Sequence, residues 1–159
     1  MGKITMAVKL VRKTAEEARA MIEAMAPRDR AQVSQKWLAR IYSSSAIDPW
    51  TLGYTLVRVE DGAEVGQGGF KSAPSEGIVE IAYGVAPNYE GRGYATEAAR
   101  ALVRIAIESG DVQVVVAHTF EQASASARVL SKVGFECIGQ VVDPDDGLVW
   151  KWERRREKV

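Results

Sequence analysis

Ile81-Ala82-Tyr83-Gly84-Val85-Ala86-Pro87-Asn88-Tyr89-Glu90-Gly91-Arg92-Gly93-Tyr94-Ala95-Thr96-Glu97 leads from an apolar strand through a glycine pair into the start of a strong helix. Gly91 and Gly93 let the backbone approach a ligand closely and adopt φ > 0 at little cost. The N–H groups of a first helical turn are unpaired and point outward, with the positive end of the dipole behind them, so this junction suits a phosphate or pyrophosphate. It is not a P-loop, which needs Lys followed by Ser or Thr after its last Gly. Nor is it a dinucleotide fingerprint, which needs a third Gly where Thr96 stands. Two glycines alone also fit a plain loop before a helix.

The elements on either side extend the reading. Downstream, Ala95, Ala98, Ala99, Leu102 and Ala106 lie opposite Glu97, Arg100, Arg104 and Glu108, which predicts an amphipathic helix of about four turns ending at Gly110-Asp111. Val112 and Val114 to Val116 read as a strand buried on both faces. Ala125, Val129, Leu130 and Val133 predict a short helix stopped by Gly134, and Phe135–Val142 and Leu148–Trp152 two strands around the turn Asp143–Gly147. Upstream, Gly77–Val85 continues a meander with Leu52–Glu60 and Ala63–Ala73. Asp61-Gly62 between those two predicts a type I′ hairpin turn, and Gly66, Gly68 and Gly69 predict a bulge. At the start, Ile4, Met6, Val8 and Leu10 alternate as in a half-buried strand. Thr14 and Glu17 form a capping box for a helix to Met25. After Pro27 one further helix is expected, with Val33, Trp37, Leu38 and Ile41 on its apolar face, and then a loop through Ser43, Ser44, Ser45 and Asp48-Pro49. The order β-α-α-β-β-β-α-β-α-β-β predicts a mixed sheet in which one strand-helix-strand unit supplies a parallel pair.

Composition limits the chemistry. The chain has 159 residues, 21 Lys+Arg against 21 Asp+Glu, one His and one Cys. The length fits a single domain over residues 1–159. Balanced charge argues against nucleic-acid binding through a broad basic field. A lone Cys and a lone His exclude a disulfide framework and the multi-Cys or His-rich metal sites, so no metal is expected. With no apolar run of about 20 residues and no secretory h-region, a cytoplasmic protein with no membrane partner is expected.

Glu90-Gly91-Arg92-Gly93-Tyr94-Ala95 resembles the acetyl-CoA loop of the GNAT superfamily of N-acetyltransferases: Gln or Arg, two residues, Gly, one residue, then Gly or Ala. Tyr83-Gly84-Val85-Ala86-Pro87 before it and Thr96-Glu97-Ala98 after it resemble the RimJ and RimL branch of ribosomal-protein N-terminal acetyltransferases. A second block, Ser126 to Phe135, resembles that branch's downstream helix with its Gly-Phe ending. The resemblance implies an α/β fold with a mostly antiparallel sheet of six to seven strands, a central splayed parallel pair and about four helices. It implies acetyl-CoA as donor, with Tyr83, Val85, Gly91, Arg92, Gly93, Tyr94, Ala95, Thr96, Ser124 and Ser126 as cofactor-binding residues, and a primary amine as acceptor, either a protein N-terminus or a small molecule. A homodimer is a further possibility. The chain departs from the family pattern at Glu90, with Arg92 beside it to offset the charge, at Ala123-Ser124 in place of an Asn, and at Leu130, where many members carry a Tyr that protonates the leaving thiolate.

An α-amine titrates near 8 and a lysine near 10.4, so acetyl transfer gains from a base or a water chain. In the implied fold, Glu80–Val85 and Val112–His118 splay apart around the pantetheine arm, and the Val85 N–H donates to the acetyl oxygen. Glu80, in the apolar run Ile78-Val79-Glu80-Ile81-Ala82, is either a base whose pKa desolvation raises or a carboxylate on a solvated face. His118 is either a proton relay or a packing residue. Ser124 and Ser126 open a helix, so capping accompanies any cofactor contact. Cys137 reads as packing. Trp50, Trp150 and Trp152 line an acceptor cleft or pack in a core or dimer. Two further readings are a non-catalytic CoA-binding module and a nucleotide-binding protein.

Overall fold

The computed structural model describes residues 6–33, 35–43 and 49–156, with the backbone alone at Trp37 and Arg40. Ile4, Ser44, Ser45, Asp48 and the Trp37 side chain lie outside the described residues. The strands are β1 (Val8–Arg12), β2 (Tyr54–Arg58), β3 (Glu64–Phe70), β4 (Ile78–Val85), β5 (Val114–Thr119), β6 (Glu136–Asp143) and β7 (Gly147–Arg155). They form one seven-stranded sheet in the order β1-β2-β3-β4-β5-β7-β6. Among the described residues, only β4 and β5 pair in parallel, joined by the crossover that contains α4 (Tyr94–Glu108). The mixed α/β class and the central parallel pair are as the sequence predicts.

Among the described residues there are five α-helices, where about four were expected: α1 (Ala15–Ala24), α2 (Pro27–Ala31), α3 (Gln35–Ser43), α4 and α5 (Ala125–Lys132). The single helix expected after Pro27 is two. Pro27 suits a helix start, since its missing N–H is an orphan there anyway. The five residues of α2 bury nothing, so no tertiary contact prolongs it. The apolar period passes to α3, where Ile41 is buried and Leu38 packs beside it against Ala18, Ile22 and Leu52.

Local chemistry accounts for most boundaries. The Thr14 Oγ1 accepts from the Glu17 N–H at 3.0 Å and starts α1. The Glu17 carboxylate accepts the Thr14 hydroxyl at 3.2 Å, where a capping box would turn it to the backbone. α5 ends in a Schellman motif: Gly134 at φ 92 carries the turn, its N–H donates to Ser131 O, and the Phe135 N–H donates to Leu130 O. The β2–β3 connection is not the type I′ turn expected. Only Gly62 has φ > 0 there, and the Arg58 N–H donates to Ala63 O across a four-residue loop. Asp61 is occupied otherwise, accepting from Arg58 at 2.9 and 2.6 Å and from the Ala63 N–H at 3.1 Å. The predicted bulge is present, with Val65 the extra residue between the pairs Leu56↔Gly66 and Val57↔Glu64.

The main core lies between α4 and the sheet, where Val79, Ile81, Ala99, Leu102 and Val103 meet, with Leu130 and Phe135 from the α5 region. Because strand side chains alternate, Glu80, Ala82 and Gly84 turn to the opposite face, beneath α1. Glu97, assigned by pattern to a polar face, reaches β1 and accepts from the Ala7 N–H at 2.8 Å. Trp152 is core, its indole N–H donating to Thr119 Oγ1 at 3.0 Å. Cys137 is free and packs against the main core. Among the described residues, no helix is long and apolar enough to cross a membrane.

Candidate active site

β4 and β5 stay in register for three pairs only, Ile78↔Val114 to Glu80↔Val116. β4 runs on to Val85 and β5 to Thr119, so a gap separates their carboxyl ends. The orientation of β4 follows from its other edge. Lys71 N–H donates to Glu80 O, and Ala86 N–H donates to Val65 O. Alternate backbone groups of a strand point to opposite edges, so even-numbered residues of β4 bond β3. The N–H groups of Tyr83 and Val85 therefore face the gap.

A cavity of about 750 Å³ lies on the α4 and α5 side of this gap. Of the residues that the resemblance names, Tyr83, Val85, Gly91, Gly93, Tyr94, Ala95, Thr96 and Ser126 line it. Gly93 caps α4 at φ 83 with no side-chain hydrogen bond. Among the described residues, the N–H groups of Gly91 to Thr96 have no acceptor within the protein, which leaves a row of donors at a helix start. Ser124 does not line the cavity. Its hydroxyl accepts from the Ala127 N–H at 3.1 Å and caps α5. Arg92 is also not part of the lining, its guanidinium lying 5.9 Å from the Tyr89 ring centroid. The cations that do line it are Arg128 and Lys132 on α5, and the carboxylate of Glu90 lines it too. Sequence reasoning assigned these two basic residues no role. Their i, i+4 spacing on the helix after the splayed strand was the available signal.

A second cavity, of about 510 Å³, lies on the other face of the sheet under α1, and meets the first at Tyr83 and Gly84. Its floor includes Ala82 and Gly84, and its apolar wall includes Met21, Met25, Leu52 and Phe70. Trp50 stands edge-on behind Phe70, with ring centroids 4.8 Å apart. Lys13 also lines this cavity although it is buried. Its Nζ donates to Gln67 Oε1 at 2.5 Å and approaches Met21 Sδ at 3.6 Å. Burial lowers its pKa, against the opposing charges of Glu64 and Glu17. No sequence pattern singled out Lys13 or Gln67. Tyr83, at the junction, is pushed up to about 12 by burial and holds its phenolic proton.

Glu80 and His118, separate candidates in the sequence, form one unit. The His118 Nδ1 lies 2.9 Å from Glu80 Oε2. A carboxylate can only accept, so Nδ1 carries the proton and Nε2 remains available. Glu80 turns away from the core face, which its neighbours Val79 and Ile81 take. Lys71 Nζ also lies 2.9 Å from Glu80 Oε2, and 3.7 Å from Asp146. Burial lowers the Lys71 pKa, but the Glu80 hydrogen bond and nearby carboxylate charges outweigh it and raise the value. Asp143 stands close to Glu80 and His118. Burial would raise its pKa, but the N–H groups of Asp145 and Asp146 on its carboxylate hold it below the ordinary range. Lys71 and Asp145 line the 510 Å³ cavity, so this cluster adjoins it through Lys71. Four residues of strand separate Glu80 from Gly84, about 13 Å.

Leu130, where a Tyr was the family expectation, is 1% exposed in the main core. The phenol at the junction of the cavities is Tyr83 instead.

The comparisons agree with this geometry. No curated protein sequence matches the chain. Among solved structures, an acetyltransferase (GNAT family) from Bacillus anthracis is similar at 17% identity and TM-score 0.66, covering 94% of this chain and 95% of that one. AAC(6')-Ib in complex with ribostamycin and coenzyme A is similar at 18% identity and TM-score 0.67, covering 95% and 94%. RimL, a ribosomal L7/L12 alpha-N-protein acetyltransferase in complex with coenzyme A, is similar at 14% identity and TM-score 0.70, covering 96% of each chain. At such identities these likenesses establish the fold. The family rests on a sequence model, that of the acetyltransferase (GNAT) domain, which matches residues 6–136. A splayed β4–β5 pair, an open helix start after Gly93 and that match over most of the chain place this protein in the GNAT acetyltransferase family.

Proposed function

We propose that the protein transfers an acetyl group from acetyl-CoA to a primary amine by direct attack in a ternary complex. The observation that carries this reading is the junction at Tyr83–Gly84. There a cavity lined by unpaired N–H groups, Arg128 and Lys132 meets a second cavity suited to an acceptor.

The donor set fits coenzyme A chemically. The N–H groups of Gly91 to Thr96 suit the pyrophosphate, and Arg128 and Lys132 supply the positive charge that Glu90 would otherwise oppose. Acetyl-CoA supplies an activated thioester carbonyl. The Val85 N–H, facing the gap, donates to the carbonyl oxygen as negative charge develops there. The acceptor nitrogen forms a bond to the carbonyl carbon, the carbon–sulfur bond breaks, and the nitrogen loses a proton while the thiolate gains one. Glu80 and His118 accept the amine's proton through water in the acceptor cavity, since about 13 Å of strand rules out direct contact at Gly84. Tyr83, protonated and lining both cavities, returns a proton to the thiolate.

The resemblance to the RimJ and RimL branch favours a protein N-terminus as acceptor. The 510 Å³ cavity with its apolar wall also admits a small amine. Thiol release from acetyl-CoA with a panel of amines tests the reading. Turnover on at least one class supports it, and CoA binding without turnover on any leaves a CoA-binding module in its place.

A further inference from the structure

The acceptor cavity holds a cation that the protein itself leaves without an anion. Lys13 is only 8% exposed, yet lines the cavity. Among the described residues, no carboxylate comes within ion-pair distance of it. Its partners are one amide oxygen, Gln67 Oε1, and the weak acceptor Met21 Sδ. Glu17 and Glu64 act on it as charges without pairing with it, and they line an adjoining cavity that shares Lys13, Met21 and Gln67 with this one. A buried ammonium with three donors and no anion is costly, and that cost is recovered where a ligand brings an anion. The other charged groups lining the acceptor cavity are Lys71, paired with Glu80, and Asp145 on the rim, so the cavity has no acidic floor for a polycation.

The position of Lys13 gives the anion's place. Gln67 lies directly opposite Gly84 across the β3–β4 pair. Both turn to the same face of the sheet, so Lys13, bonded to Gln67, shares with Gly84 the cavity through which the acceptor nitrogen must arrive. Met21, Met25, Leu52 and Phe70 provide an apolar surface beside it.

Resting on the acetyltransferase reading above, we infer that the acceptor is a primary amine that also carries a carboxylate, an amino acid with an apolar side chain, and that Lys13 and Gln67 hold its carboxylate. Hydrogen bonds to charged groups are the strong class, so the carboxylate governs selection. Amines without one, polyamines included, are poor acceptors.

The test measures kcat/KM for acetylation of leucine, methionine and phenylalanine against their decarboxylated counterparts, 3-methylbutylamine, 3-(methylthio)propylamine and 2-phenylethylamine, with spermidine and a C-terminally amidated tripeptide alongside. The expected preference for the amino acid is about 10- to 100-fold, falling to near parity in Lys13→Met. Gln67 is exposed, so Gln67→Glu keeps the fold while giving the ammonium an internal carboxylate. It should abolish the preference even if Lys13→Met does not fold. Equal rates in the wild type, a preference for spermidine or the tripeptide, or a preference that survives both variants overturns the inference. If no amine is acetylated, the function reading fails, and thermal stabilisation by the same amino acids at saturating CoA decides the recognition separately. Stabilisation in the wild type that is lost in Gln67→Glu supports it, and its absence in the wild type overturns it.

Discussion

Gly66 and Gly84 lie on adjacent strands near the splay, one register step apart, and replacing each with alanine should have opposite consequences. A Cβ at Gly66 would lie 2.2 Å from Gly84 O and 3.0 Å from the Val85 Cα, both backbone atoms. An ordinary carbon–oxygen approach is about 3.3 Å, so β3 must withdraw from β4 by roughly 1 Å. Neither strand can yield by rotating a side chain, so Gly66→Ala acts as overpacking and costs about 1–3 kcal/mol. For a chain of this length that is a Tm loss of roughly 3–10 °C. The same displacement moves the Val85 N–H, and a misplacement of about 1 Å costs on the order of 100-fold in rate. Gly84→Ala is the control. Its Cβ meets nothing within 4 Å, because it projects into the acceptor cavity. It should leave Tm within about 2 °C while raising KM for the amine more than KM for acetyl-CoA. Differential scanning calorimetry and steady-state kinetics on the two variants decide the matter. A Gly66→Ala protein with wild-type Tm and kcat/KM would refute the close-approach reasoning, as would a Gly84→Ala protein that melts as early as Gly66→Ala.

Other parts of the site give shorter tests. Glu80→Gln and His118→Asn should each lower kcat/KM and alter its pH profile on a good acceptor, and an unchanged profile in both removes them from proton transfer. Ser124→Ala removes a helix cap and should cost about 1 kcal/mol in stability, with the CoA Kd changed less than about twofold because Ser124 does not line the cavity. A large Kd change by calorimetric titration would restore it to the binding set. Arg128→Gln with Lys132→Gln should weaken CoA by about tenfold and flatten the salt dependence of its Kd, since these charges screen with ionic strength. Asp143 has a pKa held below its unfolded value, so its contribution is present above about pH 4 and fades as pH falls through the folded value. Asp143→Asn should therefore lower stability at pH 7 and flatten the acid side of the stability profile, as read by urea melts across pH.

The sequence was legible wherever local chemistry decides conformation. Thr14 and Glu17 mark the start of α1, Gly134 the end of α5, and Gly91 and Gly93 the open helix start, because caps and left-handed glycines depend on a few adjacent residues. It misled where a local pattern lacked tertiary support or a side chain had a stronger partner. The helix after Pro27 divides because α2 buries nothing, and the Asp61-Gly62 turn widens because Asp61 is taken by Arg58 and Ala63. Glu97 was placed on a polar face by its period, yet it holds the start of β1, a contact across 90 residues that no window spans.

By itself, then, the amino-acid order determined the elements, their approximate ends, and an open helix start after a strand, since hydrophobic period and capping are properties of neighbours along the chain. Folding decided which distant residues share the site. Sheet order set β4 beside β5 for three pairs and then apart, leaving the Val85 N–H free. The pleat sent Glu80 to the face where Lys71 and His118 meet it. β1, separated from β4 by β2 and β3, ends at Arg12 and so delivers Lys13 to the 510 Å³ cavity beside Gln67. These are long-range pairings, and strand register and sheet order fix them only once the whole sheet is assembled.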